Sequence, residues 1–151
     1  MKKLDKFILK SFLGPFFLAF ALGVFVLLMQ ILWKYVDDLV GKGLSVSVIF
    51  QWLYYLTLTL IPTALPIACL FSSIMVMGNF GERYELIAMK SSGISLTRTM
   101  VPIALFIVLV AIASFAFSND VIPYANLKQK TLLYSITQKK PALNIKEGEY
   151  Y

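Results

Sequence analysis

The sequence predicts an all-α transmembrane protein with three membrane-spanning helices, and three observations lead there. Of its 151 residues, 59% are hydrophobic and 15% charged, with a mean hydropathy of +0.78, far greasier than a soluble domain. Its charges lie outside three uninterrupted runs, Ser11–Trp33, Gly43–Gly81 and Thr99–Asn119, each long enough as a helix to cross a hydrocarbon core of about 30 Å. Trp33, Tyr35, Trp52, Tyr54 and Tyr55 gather near the ends of those runs, as interfacial aromatics do.

Composition also narrows the chemistry. The chain has no histidine and one cysteine, Cys69, inside an apolar run, which leaves no disulfide framework, no metal-ligand spacing and no evident catalytic group. No Gly-rich loop ends in Gly-Lys-Ser/Thr, so the chain is not expected to hold nucleotide or any cofactor. The net charge of +6 is spread over membrane flanks and a tail, which points to anionic lipid and away from nucleic acid.

In chain order, Lys2, Lys3, Lys6 and Lys10 form a basic leader against Asp5. The first span is expected at about 11–35, with Gly14-Pro15 near its start, where proline costs a helix least. The apolar core is too long for a signal peptide, so this span stays in the mature protein. A polar turn follows, with Lys34, Asp37, Asp38, Gly41 and Lys42. Adjacent carboxylates do not face each other on a helix, so Asp37 and Asp38 are read as solvated rather than as a proton-handling pair. The run from Gly43 to Gly81 is about twice the hydrocarbon thickness as one helix. It therefore divides into an amphipathic approach over Ser45–Tyr55 and a second span at about 56–78, bent by Pro62 and Pro66. The third span is expected at about 97–118. Residues 1–118 thus form the transmembrane region and 119–151 a stem, whose last residues, NIKEGEYY, resemble the beginning of a strand.

Between the second and third spans lies a charged island, Gly78–Gly93, read as a short helix over about 81–92. Glu82 and Glu85 would sit in its first turns and Lys90 in its last, as the macrodipole favours. Glu82, Glu85, Leu86 and Met89 fall at i, i+3, i+4 and i+7, giving two carboxylates beside an apolar strip on one face. Such a face suits docking into a groove with basic walls, the plain alternative being two solvated surface charges. Lysines and arginines in the leader and island place both in the cytoplasm, although the tail carries five lysines on the far side.

The set formed by Pro66, Gly78, the YELIAMKSSG island with Glu85 and Gly93, and Pro123 in VIPY resembles the LptF/LptG (YjgP/YjgQ-type) permeases of the lipopolysaccharide export transporter of Gram-negative bacteria. That resemblance implies an inner-membrane, multi-pass permease working with a cytoplasmic ABC ATPase dimer, a second homologous permease, a periplasmic bridge protein, membrane lipid and lipopolysaccharide. It implies that the island is the coupling helix docking on the ATPase, with Glu85 facing that partner. LWKYVDDL resembles the LptG-type pattern, in which the lysine matching Lys34 meets the phosphorylated part of the lipid. Pro66, Gly78 and Gly93 match bend and turn positions. Family members continue through a periplasmic jelly-roll-like β domain and three more spans, so the chain is expected to be the N-terminal portion of a longer protein. ATP turnover in the partner would move the island, shift the second and third spans relative to the first, and close a cavity shared by two permeases on the lipid. A permease or scaffold of a different ABC system is the alternative.

Overall fold

A computed structural model describes residues 3–39 and 43–147, side chains at 38, 137 and 139–147 excepted. It is helical throughout: α1 Lys3–Leu39, α2 Val46–Glu82, α3 Glu85–Ser91 and α4 Leu96–Glu147, with no strand among the described residues. Three helices, Lys3–Asp37, Val46–Glu82 and Leu96–Ile136, are long and apolar enough to cross a membrane. They alternate in direction, so α1 and α4 begin, and α2 ends, on the same side.

The helices overrun the expected spans. α1 begins within the leader, which puts Pro15 inside the helix rather than at its first turn. α2 joins the expected approach and span into one helix of 37 residues, about 55 Å long. Nothing between Tyr55 and Leu56 breaks it, and neither Pro62 nor Pro66 ends it. Gly78, expected at a turn, lies inside this helix. The stem continues α4 without a break, and residues 144–147, expected to start a strand, are its last helical residues. The final 148–151 of that stretch, and Gly41 and Lys42 of the first connection, lie outside the described residues.

α2 is the central element. Its most apolar window is 33% buried, against 11% for α1 and 11% for α4. The reason lies in its sequence: Trp52, Leu56, Leu60, Ala64, Ala68, Ser72, Val76 and Phe80 are buried at every fourth position. Four residues rotate a helix by about 40° beyond a full turn, so this stripe winds around α2 instead of following one side. Its Trp52 end packs with Leu28, Ile31 and Tyr35 of α1 and Leu132 of α4. Its Phe80 end joins Ile8 and Phe12 of α1, Met89 of α3 and Ile103 of α4.

Lipid tails are as apolar as leucine, so packing rather than water exclusion holds such a bundle together. Small residues allow close approach where Gly23 of α1 lies over Ala64 of α2; a β-carbon on Gly23 would fall 3.9 Å from that methyl. Near the other end, Phe106 of α4 sets its ring edge-on to Phe12 and Phe16, with centroids 5.4 and 5.3 Å away. Trp52, expected as a membrane anchor, is instead fully buried and edge-on to Tyr35, while Trp33 and Tyr54 are exposed as anchors should be. Hydroxyls within the spans are satisfied locally: Thr57 and Thr59 donate to the Leu53 and Tyr55 carbonyls, and Ser72 and Ser73 both donate to the Cys69 carbonyl.

Candidate docking site

The polypeptide leaves the bundle at one short helix, α3. α2 ends at Glu82, and Tyr84 then adopts the left-handed conformation, φ 56° and ψ 10°, which redirects the chain before Glu85 opens α3. A non-glycine residue there carries a conformational cost of about 1–2 kcal/mol, held in place by the helices on either side. The other end is a Schellman motif. Gly93 N–H donates to the Lys90 carbonyl and Ile94 N–H to the Met89 carbonyl, both at 3.0 Å, with Gly93 at φ +79°. Gly93 is therefore the turn residue its position suggested, because only glycine takes that φ without strain.

This geometry redraws the expected docking face. Glu82 belongs to the last turn of α2 and Glu85 to the first turn of α3, so the two carboxylates do not share a helix. The expected helix over 81–92 is the seven-residue Glu85–Ser91. Within it Glu85 and Lys90 keep the order that the macrodipole favours, whereas Glu82 sits near the unfavourable, negative end of α2. Leu86 packs against the bundle core and Met89 is buried in it, so neither belongs to an outward strip. The outward apolar groups are Tyr84 and Ile87, 72% and 58% exposed, which the sequence reading passed over. Ile87 lies about 160° around the helix from Met89, so it is the burial of Met89 that turns Ile87 outward.

Glu85 is half-buried at the edge of a notch of about 290 Å³, lined also by Phe7, Ser11, Asn79, Phe80 and Arg83. Among the described residues its carboxylate makes no ion pair, so a donor from outside the chain can meet it. Just behind α3, the Asp5 carboxylate of α1 accepts from the Arg98 guanidinium of α4 at 3.2 Å. Thr99 Oγ1 lies 3.8 Å from the Met89 sulfur.

The remaining positions lie elsewhere. Lys34 is exposed near the far end of α1, 29 residues and so about 44 Å along the axis from Asp5, with its ammonium 5.7 Å from the Tyr35 ring centroid. Pro66 lines an open apolar groove of about 740 Å³ between α2 and α4, with Pro62, Cys69, Ser73, Ser114 and Ser118 along it.

A family model, lipopolysaccharide export system permease LptF/LptG, matches residues 6–151. The chain belongs to this family. LptF/LptG members are permeases of the lipopolysaccharide export transporter, so the chain is a multi-pass membrane component of that transporter and not itself an enzyme. Membership implies ABC-transporter partners, a second permease and an ATPase among them, and it decides against a different ABC system. Comparisons with curated proteins and with solved structures returned no match.

Proposed function

We propose that this LptF/LptG chain is one of the two permeases through which a cytoplasmic ABC ATPase dimer drives lipopolysaccharide out of the inner membrane, and that α3 is the helix on which the ATPase docks. One observation carries the reading. α3 is outside the spans, presents Tyr84, Ile87 and the edge of Glu85 outward, and is anchored by Met89 in the core shared by α1, α2 and α4. A force on the outward face therefore reaches the core shared by the three spans through Met89, with Leu86 packed beside it. Glu85 supplies the charge that a basic partner groove reads, with Glu82 flanking it from the end of α2.

The basic residues support a cytoplasmic N-terminus. Lys3, Lys6, Lys10, Arg83 and Lys90 all belong to the end where α1 starts and α2 stops. Lys34 then lies on the periplasmic side, exposed beside Trp33, where its ammonium meets the phosphorylated part of the lipid as in LptG-type members. Lipid extracted by the pair passes to the periplasmic bridge protein.

Two measurements test this arrangement. A membrane-impermeant maleimide should label Ser92→Cys, in a Cys69→Ala background, only from the cytosolic side; labelling confined to the periplasmic side ends the docking reading. Lys34→Asp should lower lipid crosslinking at that site several-fold without changing permease assembly, because reversing one interfacial charge costs on the order of 1 kcal/mol toward an anionic headgroup. Undiminished crosslinking removes Lys34 from the lipid site.

A further inference from the structure

We infer that the Asp5–Arg98 ion pair is a positioning element for transport, a clasp that binds the head of α1 to the head of α4 so that displacement of α3 is carried to the first span. The pair joins residues 93 apart in sequence, Asp5 in the first turn of α1 and Arg98 in the first turn of α4. The Asp5 side chain is only 10% exposed and that of Arg98 42%, with Arg98 Nη2 donating to Asp5 Oδ2 at 3.2 Å.

Its placement is unusual on electrostatic grounds. α1 and α4 run parallel, so two positive dipole ends lie side by side, and α4 has no acid in its own first turn. An arginine there opposes the dipole. What makes the position tolerable is Asp5, an acid in the first turn of α1 where that helix's dipole favours it, ion-paired to the guanidinium. Ser95 secures the same turn, its Oγ accepting from the Arg98 backbone N–H at 3.3 Å. Next along α4, Thr99 is buried against Met89, the residue that seats α3 in the core. The clasp therefore adjoins the junction through which a docked ATPase would act. A partly buried ion pair adds little net stability over an apolar pair of the same shape, so its value here is in fixing one arrangement of the two helices.

The inference rests on the docking reading of α3, and the experiment separates the two. In the assembled transporter reconstituted in proteoliposomes, ATPase co-purification, ATP turnover and lipid released per ATP are measured for Asp5→Ala, Arg98→Ala and the exchange Asp5→Arg with Arg98→Asp. The exchange is a fair rescue because it keeps one aspartate and one arginine across the same gap, with one arginine in the first turn of a helix in either arrangement. Both single variants should keep the ATPase bound and turning over while lipid per ATP falls about tenfold, and the exchange should recover at least half of it. Lipid per ATP unchanged in the single variants overturns the clasp, as does a loss that the exchange fails to restore. Where an alanine variant does not assemble, the near-isosteric Asp5→Asn decides, normal lipid per ATP again overturning the inference. Failure of the docking reading shows separately, as full ATPase binding and export when Glu85 is reversed.

Discussion

Reversing Glu85 to lysine in the assembled transporter is expected to weaken ATPase co-purification about tenfold or more and to reduce lipopolysaccharide export in proportion. Glu85 is half-buried, opens α3 and meets no cation among the described residues, so its charge is available to a partner. Replacing an interfacial carboxylate by an ammonium both removes an attraction and sets like charges against each other. The permease itself should be little affected, because the carboxylate makes no ion pair among the described residues. Thermal unfolding of the isolated permease should therefore match that of the original chain. Glu82→Lys is the internal comparison: on α2 and fully outside α3, it should weaken association much less. Equal association and export in Glu85→Lys would remove docking from α3.

Met89 gives the second large effect, of the opposite kind. It is buried among Ile8, Phe80 and Ile103 and ties α3 to the bundle. Met89→Ala should cost about 2–5 kcal/mol through the lost contacts and residual cavity, and Met89→Asp more, because an unpaired carboxylate would be placed in that core. Met89→Leu should cost less than about 1.5 kcal/mol, since volume is kept. The measurement is thermal unfolding of the permease without its ATPase, together with hydrogen exchange of the α3 amides, which should accelerate in Met89→Ala. A Met89→Asp permease as stable as the original would return Met89 to the outward face that the sequence spacing suggests.

The contrast between these residues shows what the sequence carries. The three spans were legible because charges are excluded from lipid over fixed lengths, and a charge-free run survives any detail of packing. The Gly93 turn was legible because a positive φ selects glycine. The boundary between α2 and α3 was not. It depends on Tyr84 in a conformation that tyrosine rarely takes, imposed by the surrounding helices rather than by its own preference. A four-residue error in where α3 begins put Glu82 on the wrong helix, and taking the side that carries Glu85 as the outward one turned Leu86 and Met89 outward with it. Trp52 misled for a related reason: an aromatic near a membrane surface fits both a belt and a helix contact, and only the fourfold spacing from Trp52 to Phe80 tells them apart. Asp5 and Arg98, far apart in sequence, offered no local signal at all.

α4 runs unbroken from Leu96 through Ile136 and on to Glu147. The 41 helical residues from Leu96 to Ile136 make a lever arm of about 60 Å, so a swing of only about 5° at its fulcrum would sweep the distal tip through about 5 Å. An ångström-scale adjustment beside Arg98 would thereby be magnified into a displacement about as wide as an acyl chain at the other end of the helix.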